Sequence, residues 1–200
     1  MAKKVVENAL PQNYYVAKTR KGWRTWLAKN HEQTSGVWLI TYKKSSGQPH
    51  LAYAAAVEEA LCFGWIDSLP RKLDEQRTML YFAPRKAGSG WSALNKQRIE
   101  NLQEQGLLTP AGIAKIEAAK KDGSWSKLDE VEMLAIPDDL RLEMEKYLNA
   151  TQYFEAFPKS AKRGILEWIS NAKRPETRRK RVEETARLAD INERANQWKR

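Results

Sequence analysis

Ala56-Val57-Glu58-Glu59-Ala60-Leu61-Cys62-Phe63-Gly64-Trp65-Ile66-Asp67-Ser68 changes its structural period partway along. Residues 52–63 are rich in Ala, Leu and Glu, which favour helix. Ala56, Ala60 and Phe63 recur at i, i+4 and i+7, with Val57 and Leu61 on neighbouring rows, so one face is apolar. Glu58 and Glu59 lie off that face. Gly64 supplies the left-handed residue that ends many helices. Trp65 to Ser68 then alternate as a strand, which puts Trp65 and Asp67 on one face and Ile66 on the other. Asp67 is either a polar group beside a tryptophan or the start of a turn at Ser68-Leu69-Pro70.

Working outward, Val37 to Lys43 is the strongest strand signal, dense in β-branched and aromatic residues. Thr78 to Ala83 reads as another strand, ended by Pro84, and Arg71 to Glu75 as a charged connection. Upstream, Thr19 to Asn30 is helical, with Trp23, Trp26 and Leu27 on one side. From Ser92 onward the chain reads as helices. One runs over 93–105 to Gly106. Another is capped by Thr109, has Pro110 at its first position and stops near Gly123. Others start at Pro137, Pro158 and Pro175, the one from Pro158 with Ala161, Ile165, Trp168, Ile169 and Ala172 on one stripe, and Tyr153, Phe154 and Phe157 form an apolar patch. The fold class expected is α+β: a small antiparallel sheet of about three strands with a mainly α-helical C-terminal half. Residues 1–18 are a lead-in, 19–125 an α+β core holding the motif, and 126–200 a helical region packed on it.

The 200 residues are 42% hydrophobic and include eight tryptophans, the composition of a globular protein. No apolar run approaches the roughly 20 residues of a membrane span. The N-terminus shows no secretory pattern, so a cytoplasmic location is expected. One cysteine, Cys62, and two histidines, His31 and His50, leave little material for a metal site. No cofactor is expected. The net charge is +10, and Pro158 to Arg200 hold 13 Lys plus Arg against 6 Asp plus Glu. Such a field favours anionic partners. Arg178 to Arg181 are four successive cations, which encircle a helix and form no single groove-reading stripe. No nucleic-acid-binding motif accompanies them.

A second polar stretch is Arg85-Lys86-Ala87-Gly88-Ser89-Gly90-Trp91-Ser92. Two cations meet a Gly/Ser turn ahead of a helix, an arrangement that offers backbone N–H groups to an anion. The alternative is a solvated loop with an ordinary N-cap.

These residues carry a resemblance. Trp23-Arg-Thr-Trp-Leu27, Gly36-Val-Trp-Leu39, the Glu58-to-Ser68 string, Pro84-Arg-Lys86, Trp91-Ser-Ala-Leu-Asn95, Leu107-to-Gly112, Gly123-Ser-Trp125 and Ala172-to-Thr177 resemble the bacterial YdeI/OmpD-associated (OmdA-like) proteins over nearly the whole chain. Those proteins are often labelled bacteriocin-protection proteins. The resemblance implies a link to envelope stress and to tolerance of bacteriocins or antimicrobial peptides. It brings no catalytic set, but adds weight to Glu58, Glu59, Trp65, Asp67, Arg85, Lys86, Trp91 and Asn95 as one cluster.

The function expected is that of a non-enzymatic binding protein. Arg71, Arg85 and Lys86 would meet an anionic small molecule or surface, and Trp65 and Trp91 would give flat contact. A basic chain is a poor trap for a cationic peptide, because like charges repel. Two alternatives stand beside this reading. One is an enzyme using Glu58, Glu59 or Asp67 for acid–base work, or Cys62 with His31 as a nucleophile pair. The other is nucleic-acid binding through the basic C-terminal helices.

Overall fold

A computed structural model describes residues 10–197. It divides into two compact units, one comprising residues up to Ser89 plus Leu94–Trp125, the other Gly90–Ala93 and the residues from Ser126.

The first unit is built on β1 (Tyr14–Val16), α1 (Arg20–Asn30), β2 (Val37–Tyr42), α2 (Tyr53–Cys62), β3 (Trp65–Lys72), β4 (Arg77–Pro84), α3 (Ala93–Glu104) and α4 (Pro110–Lys121). The fold is α+β, as the period changes predict. The sheet corrects one expectation: it has four strands in the order β1-β2-β4-β3, and it is mixed. β1, inside the stretch read as a lead-in, pairs parallel with β2, with Tyr14 opposite Trp38. A parallel neighbour needs a crossover, and α1 supplies it. Residues 1–9 of that lead-in lie outside the described residues.

β3 also runs further than its sequence suggests. It continues through Pro70 to Lys72, so Ser68-Leu69-Pro70 is strand and not turn. Asp67 pairs with Phe82 and Pro70 with Leu80. Ser68 and Leu69 therefore stand opposite the single residue Tyr81, a β-bulge. β3 is an edge strand, where the missing N–H of Pro70 is tolerated.

Paired residues share a face. Val37, Leu39, Thr41, Thr78, Leu80, Phe82, Asp67 and Pro70 look toward the helices. Trp23 of α1 packs on Phe82 at 5.3 Å between ring centroids. Its indole N–H donates to the Ala56 carbonyl at 3.0 Å, fastening α1 to α2. Gly64 ends α2 at φ +73°. Thr109 caps α4, and its hydroxyl donates to the Cys62 carbonyl at 2.6 Å. Gly112 sits so close beneath α2 that a Cβ there would lie 2.3 Å from that same oxygen.

The second unit is helical: α5 (Asp129–Glu132), α6 (Asp138–Met144), α7 (Ala150–Ala156), α8 (Lys159–Ser170) and α9 (Pro175–Asp190). Leu140, Met144, Phe154, Ile165, Ile169 and Ala186 are fully enclosed in its core. α8 buries Ala161, Ile165 and Ile169, three members of the stripe read from its sequence.

Gly112→Ala is expected to destabilise the first unit by roughly 2–4 kcal/mol, because the obstruction is backbone and cannot rotate away. Gly164→Ala on α8 meets nothing within 4 Å and should stabilise by about 0.5–1 kcal/mol through helix propensity. Urea unfolding followed on each unit's transition checks both. A neutral Gly112→Ala would mean that α4 does not press on α2.

Candidate functional site

The two adjacent glutamates of α2 have different environments. Glu59 is 3% exposed, and its carboxylate takes Arg20 Nε at 2.5 Å and Arg24 Nη1 at 2.7 Å. Arg24 Nη2 donates onward to the Leu107 carbonyl at 2.9 Å. Burial alone would lower both arginines, but the hydrogen bonds and charge of Glu59 outweigh it and hold them above their ordinary value. Among the described residues Glu58 meets only Arg20, at 3.0 Å, nearer the surface. Cys62 is buried, and burial pushes its thiol up against the pull of Arg24. The His31 ring lies on Phe63 and its Nδ1 contacts the Leu27 carbonyl.

Trp65 and Arg85 are neighbours, since the Arg85 N–H donates to the Gly64 carbonyl at 2.9 Å. Both side chains are turned into packing. The indole N–H of Trp65 donates to the His31 carbonyl at 3.0 Å. Arg85 is 5% exposed, and burial lowers its guanidinium to about 10. Lys86 is exposed. In the turn beyond, the Gly88 N–H donates to Asp122 Oδ2 at 3.1 Å, so this chain's own carboxylate takes an N–H read as an anion cradle. Ser124 and Gly88 together hold Asp122 below the usual carboxylate range. Asn95 is buried and accepts from Arg98 at 2.9 Å. Trp91 belongs to the other unit and is also buried.

An open concavity of the first unit lies elsewhere. A cavity of about 720 Å³ runs over the helix-facing side of the sheet, with residues 50–56 as its opposite wall. Of the residues singled out in the sequence, Asp67 and Arg71 line it. Arg71 contributes wall, but its guanidinium lies over Trp38 at 4.9 Å, and Trp38 belongs to the opposite face of the sheet. Asp67 accepts from the Tyr53 hydroxyl at 2.8 Å. Burial first, then Asp67, raises the tyrosine's pKa. The floor is Leu39, Leu80, Thr41 and Thr78, the two threonine hydroxyls 3.4 Å apart. At the far end Lys43 Nζ donates to the Asp74 and Glu75 carbonyls, and Lys72 pairs with Glu75. His50 Nδ1 lies 2.6 Å from the Tyr42 carbonyl. A carbonyl only accepts, so the proton sits on Nδ1 and a neutral His50 keeps Nε2 as an acceptor.

His50, Tyr53, Thr41, Thr78 and Lys43 were not singled out in the sequence as site residues. Among the described residues no three His, Cys, Asp or Glu stand together where they could hold a metal. No described helix is long and apolar enough to cross a membrane.

Two family models match the chain. Residues 15–115, just over half of it, match a domain of unknown function (DUF8412), and residues 133–190 match the model described as bacteriocin-protection, YdeI or OmpD-associated. The chain belongs to the DUF8412 family, and its residues 133–190 are similar to the YdeI/OmpD-associated proteins. The resemblance read in the sequence is thus shown over the C-terminal part, while the Glu58-to-Ser68 string and the cavity fall under the first model. No curated protein and no solved structure matches the chain.

The basic run of α9, inside the stretch that matches the YdeI/OmpD-associated model, is largely engaged. Arg178 grips Asp139 with two bonds, at 2.6 and 2.9 Å. Arg181 lies over the Trp168 ring and donates to its carbonyl, and Arg179 faces Glu183 at 3.7 Å.

Glu59→Gln is expected to cost the first unit roughly 1–3 kcal/mol, less than a fully buried pair because both arginines reach solvent. Glu58→Gln should stay within about 0.5 kcal/mol. Equal effects of the two in chemical denaturation would contradict the asymmetry of their surroundings.

Proposed function

We propose that this protein is a non-enzymatic binding protein whose N-terminal unit holds a small, largely apolar molecule against the sheet. The observation that carries this reading is the cavity itself. Its volume is that of a ligand site, its lining is largely apolar, and a few polar groups converge at its ends. The Trp65–Arg85 corner supports the reading less well, because both side chains are spent on packing.

Of the groups that would serve an enzyme, Glu59 and Cys62 are committed to structure. Glu59 is clamped by two guanidiniums, and Cys62 is buried with its thiol pushed up. What the YdeI/OmpD-associated description names, protection from bacteriocins, is the setting we propose for the binding. In that setting the ligand is a small molecule met during envelope stress.

Indole serves as an apolar probe. It should shift the methyl resonances of Leu39, Leu51 and Leu80 in a saturable way, and Leu80→Trp, which fills the floor, should abolish the shifts while leaving the spectrum of a folded protein. Shifts that map outside the cavity, or none at all, would overturn the proposal.

A further inference from the structure

The cavity has a direction, and its direction identifies what it holds. Resting on the reading of this cavity as a ligand site, we infer that it takes a short apolar peptide with free ends, its ammonium at Asp67 and its carboxylate at the Lys43–Lys72 end. The register of the sheet sets out the order along the trough. The row of Phe82 and Asp67 comes first, then Leu39, Leu80 and Pro70, then Thr41, Thr78 and Lys72, with Lys43 beyond.

The two ends differ in charge. At the first, Asp67 is a carboxylate whose hydrogen bond comes from a neutral hydroxyl, and among the described residues no cation lies within ion-pair distance of it. At the other, Lys43 Nζ donates to two backbone carbonyls and, among the described residues, no carboxylate lies within ion-pair distance of it, while Lys72 pairs with Glu75 and Arg77 with Asp74. That end keeps a positive surplus. The start of α2 also borders the cavity, but its half-charge is smaller than the full charge of Asp67 and fades within one turn. Between the ends the floor is leucine, proline and threonine.

The distance selects the ligand's length. From the Phe82 row to the Thr78 row is four residues of β4, roughly 13 Å at the rise of a strand. An extended peptide of three or four residues spans that distance, since each residue contributes roughly 3.3–3.6 Å. A simple anion would satisfy one end and be repelled at the other. A simple amine would leave the lysine end unanswered.

Calorimetry with Leu-Leu-Leu, its N-acetyl form, its C-terminal amide and the doubly blocked peptide tests this. The free peptide should bind tightest, and each block should weaken binding roughly 3–10-fold, the range of a partly exposed ion pair. Asp67→Asn should remove the penalty of acetylation and leave that of amidation. Lys43→Met should do the reverse, with Lys72→Met as a second variant should the 74–75 turn be disturbed. If blocked and free peptides bind alike, or if indole binds and no peptide does, the inference is overturned while the cavity remains a ligand site. If neither indole nor any peptide binds, the ligand-site reading falls with it.

Discussion

A single carboxylate, that of Glu59, holds the N-terminal unit in register. It sits where water scarcely reaches and takes one donor from each of two arginines a helical turn apart on α1. Burying an ion pair costs desolvation that its own attraction barely repays. What the pair adds is position. Arg24 reaches on to the Leu107 carbonyl, so one acid ties α1, α2 and the turn before α4 together. An apolar contact at the same place would tolerate a slide of one helix along the other, whereas a two-armed hydrogen-bonded clamp does not. The consequence reaches the cavity, because α2 begins with Tyr53, and Tyr53 must stand over Asp67 for the mouth to have its shape.

The second constraint lies in the sheet. Without the extra residue at Ser68 and Leu69, the later part of β3 would turn over and Pro70 would leave the helix-facing side. The bulge keeps both Asp67 and Pro70 on that side and sends Leu69 outward, where it is 54% exposed. It lets one edge strand supply an acid at one end of the trough and lysine at the other.

Much of this was legible in local sequence because the cause was local. Gly64 stops α2 through a backbone angle that belongs to one residue. Thr109 and Pro110 start α4 through chemistry within one turn. The stripe of α8 is a matter of spacing. What was not legible depends on partners far along the chain. β1 is three residues long and becomes a strand only because the edge of β2 is there to receive it. Ser68-Leu69-Pro70 has the composition of a turn, and only pairing with β4 makes it strand. Glu58 and Glu59 are indistinguishable by type, and both lie off the apolar row of Ala56, Ala60 and Phe63. Arg20 and Arg24, more than thirty residues upstream, decide which of the two is clamped.

The same distinction explains why the motif and the cavity point to different places. Electropositive turns and aromatic residues are conspicuous in a sequence, and they are also the groups that a fold of this size must satisfy internally. Arg85 and Trp65 are buried, the Gly88 N–H is taken by Asp122, and Arg71 rests on an indole of the opposite face. A binding site needs the reverse: polar groups whose partners leave them capacity, set around apolar surface that water can vacate. Tyr53, Asp67 and His50 meet that condition, and each is unremarkable where it stands in the chain. Tyr53 is 56% exposed and its one described bond orients Asp67, so a ligand's ammonium can join that carboxylate without breaking any contact that the fold requires.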